Sequence, residues 1–266
     1  MNPVPPSPKR SGHNFGPAAR GDVRYRRARP WSRVRDGVVV VAEYAAESVY
    51  GYLHPEWRLS GASAEEESGP LAGDHLILQP NWQATRATSI ARRPSDVWPW
   101  LAQAGYGRGG WYGDLPWWKD PEGAKGRHSS AAKIMPEHQA IRPGDVLLDG
   151  PNCDAATGAW RVVEASPPHK LVLFSRRTLS GREVLPGSSL PRSYFSCSWA
   201  FVLRPEGESH TRLIVRSRVD YHPAWMVRAA AVVRSGDTVM QRAMLSGIKR
   251  RAEQQPSSTL ETGPST

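Results

Sequence analysis

The chain has 266 residues, 39% of them hydrophobic and 23% charged, with a formal net charge of +10. That length suits one large domain, or one domain with extensions. No apolar run reaches the roughly 18 residues of a membrane-spanning helix, and two cysteines, Cys153 and Cys197, make neither a disulfide framework nor a metal-binding pattern.

The charge is not spread evenly. Residues 1–35 hold nine Lys/Arg and one acid, whereas residues 36–266 hold 26 Lys/Arg and 24 acids. The basicity therefore belongs to a tail, and a domain that reads nucleic acid would carry it on the domain itself. Pro3, Pro5, Pro6, Pro8, Pro17 and Pro30 punctuate this tail, little of it can enter a core, and it is expected to be disordered. The arginines from Arg20 to Arg35 could draw it weakly to anionic membrane or nucleic acid; a plain solvated tail is the competing expectation. The apolar run Val38–Ala42 is short and is stopped by Glu43 and Glu47. It makes a poor export signal, so a cytoplasmic location is expected.

Val38, Val41, Ala45, Val49 and Tyr52 recur at helical spacing and predict a helix over residues 36–53. Residues 54–73, with Pro55, Glu65–Glu67, Gly69, Pro70 and Gly73, read as a linker or surface loop. From Gln83 to Ile90 the alternation predicts a first strand. Pro94-Ser95-Asp96 is a helix-start signal, with Asp96 as N-cap and Pro99 held to the first turn. Val97, Trp98 and Leu101 then face the core. Gly105, Gly107, Gly109 and Gly110 end this helix and lead into Trp111-Tyr112. Their spacing is not that of a phosphate-binding loop.

One or two short helices are expected over residues 129–137. Strands are predicted at 146–149, 159–164, 170–176, 194–203 and 211–221, with a long polar connection at 177–193. In the 194–203 strand, Phe195, Cys197, Trp199, Phe201 and Leu203 share one face; Leu213, Val215, Ser217 and Val219 do so in the next. Such alternation marks an antiparallel sheet with one wet face, and places Arg216 and Arg218 towards solvent. Residues 223–253 are predicted helical, with a break at Ser235-Gly236-Asp237 and Asp237 capping the second half. Met240, Met244, Gly247 and Ile248 form a stripe, and residues 254–266 are expected to be disordered.

Several segments resemble the SRPBCC (START-like, polyketide cyclase/dehydrase-like) superfamily and its bacterial members. They are Ala84-Thr85-Arg86-Ala87, Val97-Trp98-Pro99-Trp100-Leu101, Gly110-Trp111-Tyr112, Trp199-Ala200-Phe201-Val202-Leu203 and Met244–Glu253, with Gly73-Asp74 ahead of them. The resemblance implies an α+β helix-grip fold over residues 74–253, a curved antiparallel β-sheet wrapped around a long C-terminal α-helix. It also implies an apolar cavity between the two. Strand parity places Phe195, Trp199, Phe201, Leu213 and Val215 on its wall, with Met240 and Met244 opposite and Trp111 and Tyr112 near its entrance. Residues 1–35 and 36–73 are then a tail and a helix with linker.

The expected function is binding of a small hydrophobic, lipid- or polyketide-like molecule, with no cofactor and no metal. A cyclase- or dehydrase-type lyase is the alternative and would need an acid or base in the cavity. Asp114, Glu137, His138, Tyr194 and Arg216 are the polar candidates, and none forms a motif. The histidines lack metal-ligand spacing, and no hydrolase or nucleotide-loop signature occurs. An adaptor acting through the basic tail is a third expectation. Ligand identity and oligomeric state are open.

Overall fold

A computed structural model describes residues 49, 61–113, 130–150, 153–185, 187–229 and 231–255, and all side chains in these except those of residues 227, 229 and 231–236. The chain divides into two units, residues 1–39 and 40–266, and every described residue belongs to the second. The expected disordered tail over 1–35, residues 256–266 of the one expected over 254–266, and all of the expected helix over 36–53 but Val49, which is helical, lie outside the described residues; Gln254 ends the last helix instead of opening a tail.

In chain order the elements are α1 (Ala64–Ser68), β1 (Trp82–Ile90), α2 (Pro94–Ala102), β2 (Val146–Leu148), β3 (Ala159–Ser166), β4 (Lys170–Thr178), β5 (Tyr194–Glu206), β6 (His210–His222), α3 (Met226–Ala229) and α4 (Ala231–Gln254). The strands form one antiparallel sheet in the order β1-β6-β5-β4-β3-β2. With its C-terminal helix this is an α+β fold. No helix among the described residues is long and apolar enough to cross a membrane.

The strands sit where alternation predicts, and all but β2 extend beyond the periodic core by a residue or more at one end or both. Leu171, Leu173, Trp199, Phe201, Leu213 and Val215 point to one face, the inner one, and pack against α2 and α4. Leu213, Val215 and Leu173 are fully buried, each worth about 1.5–3 kcal/mol. A bulge at Val163 breaks the β3–β4 register.

α2 begins at Pro94, with Arg93 as the N-cap, so Pro99 falls inside the helix rather than in its first turn. An interior proline costs about 3 kcal/mol. Burial of Val97, Trp98, Trp100 and Leu101 outweighs that at about 1.5–3 kcal/mol each. Over residues 130–137 the only regular element is the start of a 3-10 turn, Pro136–His138, in place of the expected helices.

The outer face of the sheet is covered in part. Residues 61–78 cross it as a strap, and α1 within the strap is closed by a reciprocal cap between Ser63 and Glu66. Arg216 lies on the outer face as its parity requires, yet is only 2% exposed. Its guanidinium bonds Asp74 Oδ2 at 2.7 Å, Thr85 Oγ1 at 3.0 Å and the carbonyls of Glu66, Glu67 and Gly69. The strap turns beneath Gly73, whose φ is +82 and whose absent side chain leaves room for Val172. The segment expected to be a surface loop is thus a second layer pinned by three arginines, Arg212, Arg216 and Arg218.

Candidate functional site

The inner face has two different ends along α4. Towards its C-terminus the helix is packed solid. Gly247 lies directly on the backbone of Tyr112, Lys249 Nζ donates to Ser89 O at 2.7 Å, and Glu253 Oε1 accepts from Ala91 N at 2.9 Å. Leu213, Val215, Phe201 and Met244 are at most 2% exposed. Trp111 stacks on Trp199 at 5.2 Å, and Trp160 and Phe201 close round the same indole at 5.4 and 5.0 Å. Aromatic bulk fills this half.

Towards the N-terminal half of α4 the inner face is polar. Arg86 projects from β1 and is buried; its Nη1 donates to Gln241 Oε1 at 2.8 Å and its Nη2 to Thr238 Oγ1 at 2.7 Å. Gln241 Nε2 in turn donates to Asp237 Oδ2 at 2.7 Å and to Ser217 Oγ at 2.8 Å. One amide therefore joins a strand arginine to a helix carboxylate. The expected helix break at 235–237 is absent: Asp237 is interior to α4 and meets Gln241 one turn on, instead of capping.

Across the face, Arg177 on β4 donates to Asp149 Oδ2 at 2.9 Å, Ser175 Oγ at 2.6 Å and Ala159 O at 2.9 Å, while Trp160 Nε1 donates to Asp149 Oδ1 at 3.1 Å. Cys197 on β5 lies between the two polar groups and feels both. Burial pushes its thiol up, Asp237 and Asp149 push the same way, and Arg177 opposes. Burial likewise raises the Asp237 carboxyl above its ordinary range; Arg86 and the Gln241 hydrogen bond pull it down, and Asp149 pushes it up. Desolvation dominates both groups, so protein crowds them closely. Both nevertheless keep accessible surface. Neither is sealed in the core as Leu213 and Val215 are.

Of the residues expected to hold a ligand, Phe195 and Met240 are half-buried and belong to this end; Phe195 sits 6.1 Å from the Tyr221 ring. Trp199, Phe201, Leu213, Val215 and Met244 lie in the solid half, and Trp111 packs on its edge. Tyr112 is not near an opening: it is fully buried, with φ 60, its hydroxyl donating to Trp100 O at 2.8 Å and Arg251 over its ring. Burial holds its phenol protonated.

The polar candidates do not gather. Asp114 lies outside the described residues, Glu137 is exposed, and His138 is in the turn Pro136–His138. Tyr194 stacks on His222 on the outer face, and Arg216 holds the strap. Among the described residues no group of three or more His, Cys, Asp or Glu is placed to bind a metal ion.

The residues that do gather, Arg86, Asp149, Arg177, Cys197, Asp237 and Gln241, carried a weak signal. Arg86 shares strand parity with Ala84 and Ile90, so a charge falls on an apolar face; Asp237 and Gln241 are four apart, one helical turn.

No family profile matches the sequence, and no curated relative does. Solved structures give distant likenesses: a protein of Arthrobacter aurescens, 13% identical, covering 69% of this chain and 93% of that one at a TM-score of 0.36; and a hypothetical protein of Helicobacter pylori, 11% identical, covering 69% and 95% at 0.41. A Rhizobium loti protein is 15% identical, covering 62% and 96% at 0.36. No conclusion about function follows from likenesses of this size.

Proposed function

We propose that the chain binds a small, largely apolar molecule between the inner face of the sheet and the C-terminal helix, in the manner of a helix-grip fold. The observation that carries this reading is the partly accessible stretch of the inner face at Asp237 and Cys197. Both groups are crowded by protein yet accessible, with half-buried Phe195 and Met240 on the same stretch of strand and helix. Apolar walls with a few convergent polar groups are the usual make-up of a ligand pocket. The resemblance to SRPBCC sequences points the same way.

A cyclase- or dehydrase-type lyase is the second reading, and Asp237 favours it. Burial raises its carboxyl above the ordinary range, the direction that favours a proton donor. Native mass spectrometry of the purified full chain, followed by denaturing extraction, tests binding. A released apolar molecule supports it; clean protein that shows no thermal shift with a panel of apolar compounds counts against it.

A further inference from the structure

The strand register brings separate loops to one end of the sheet. Thr178 at the end of β4 pairs with Tyr194 at the start of β5, and Tyr194 with His222 at the end of β6. These strand ends lie within two strand spacings, about 10 Å. The turn after β4 is tied to the same end, with Thr178 N–H donating to Arg182 O at 2.9 Å and Val184 N–H to Arg176 O at 2.8 Å. Most of the large apolar side chains left exposed among the described residues stand on these loops. Leu179, Leu185, Leu190 and Trp225 are each more than half exposed; Val49, Leu78 and Val163 are the others. Single exposed leucines are ordinary, but several gathered at one end of a sheet mark an interaction surface.

Charge says what kind. Residues 177–193 and 222–236 hold five arginines and one acid, Glu183. Glu183 is taken by Arg161, and Arg177 by Asp149. Arg182, Arg192 and Arg228 are exposed, each two or three residues from one of the apolar side chains. Asp154 and Asp220, on neighbouring segments, accept from Thr157 and Asn81. The rim is thus apolar and basic together.

We propose that this end of the sheet docks on an anionic phospholipid bilayer. Trp225 and the three leucines enter the interface, where indole rings favour the headgroup level, and the three exposed arginines meet lipid phosphates. A bilayer fits better than a protein. The apolar side chains stand on separate turns spaced by Ser180-Gly181, Gly187-Ser188-Ser189 and Pro191, whereas a protein interface needs a close-packed core. A fluid surface receives separate apolar tips one by one. A small apolar insertion alone holds a bilayer marginally, and stable docking takes a second, basic signal. Arg20–Arg35 supply that signal, so rim and tail are both required. The docking stands whether or not a ligand lies between sheet and helix.

Co-sedimentation of the full chain with vesicles of equal parts phosphatidylcholine and phosphatidylserine tests this. The unaltered chain should bind these vesicles and leave phosphatidylcholine vesicles alone. A full chain carrying Leu179→Ser, Leu185→Ser, Leu190→Ser and Trp225→Ser, with its tail intact, should bind less by about tenfold or more. Equal binding by that variant makes the tail the whole contact and overturns the proposal, as does no binding by the unaltered chain. Amide exchange of the unaltered chain, with and without vesicles, decides the matter even where the variant does not fold. Exchange should slow at residues 179–190 and 223–228 and stay unchanged at 63–68, where Glu66 bonds Arg212 at the other end of β6. Unchanged exchange at the rim would overturn the proposal.

Discussion

Replacing Gly247 by alanine should loosen the C-terminal helix from the sheet. A Cβ built at Gly247 overlaps the Tyr112 carbonyl oxygen and stands 3.0 Å from both the carbonyl carbon and the Cβ of Tyr112. The obstructing atoms are backbone, and they cannot swing aside. Tyr112 is fixed by its hydroxyl on Trp100 O, by Ser130 Oγ on its N–H at 2.8 Å and by Arg251 over its ring. Helix and loop must therefore part. Overpacking of this kind costs about 3 kcal/mol at the upper end of its usual range. Alanine returns about 1 kcal/mol of helix propensity over glycine. The balance is a loss of about 2 kcal/mol, or a Tm lower by about 4–8 °C for a domain of this size. Differential scanning calorimetry of Gly247→Ala reads this directly, with Ser246→Ala on the exposed side of the same turn as the control. A Tm equal to or above that of the unaltered chain would refute the close approach of Gly247 to Tyr112.

Other outcomes follow from the strap and the tail. Arg216→Met should cost about 3 kcal/mol in urea unfolding, the lower end for a broken buried pair, because Asp74 keeps Arg218 while the strap carbonyls of Glu66, Glu67 and Gly69 lose their donor; a loss below about 1 kcal/mol would mean that the pair behaves as a surface one. Glu66 is held down to about 2 from an ordinary 4.5, chiefly by the Arg212 guanidinium. Its folded pKa is depressed, so the stability it lends the strap is present above 4.5 and is lost as pH falls towards 2. Amide exchange over residues 63–68 should quicken across that window, and Glu66→Gln should abolish the pH dependence. Any binding to phosphatidylserine vesicles should weaken steeply with salt and vanish in a chain beginning at residue 36; salt-sensitive binding that persists there would move it to the folded body.

Strand parity made most of the sheet legible. Inward Phe201, Leu213 and Val215 and outward Arg216 and Arg218 follow from period-2 alternation alone, because most of the inner face is buried. What alternation cannot show is which outward face is covered. Arg216 looks like a wet residue until residues 61–78 are seen to lie across it, a contact between segments about 140 residues apart. The α2 start was misplaced by three residues because Asp96 resembles a cap, whereas Pro94 takes the first helical position. The site was read from its apolar residues, yet most of those pack among themselves. The accessible end is marked by Asp237, read as a cap at a helix break although the helix runs through it, and by Arg86, a single charge in an apolar strand. Single polar residues on buried faces carry no period, so only the three-dimensional meeting of β1 and α4 shows that they are joined through Gln241.

The most direct test of binding between sheet and helix is an NMR titration of the isotope-labelled full chain with 2-naphthol. Shift changes should concentrate at Phe195–Cys197, Val219–Tyr221 and Asp237–Gln241, and leave Leu213, Val215 and Ile248 in the solid half still. Changes confined to other surfaces, or none at saturating probe, would contradict a ligand site between the sheet and the C-terminal helix.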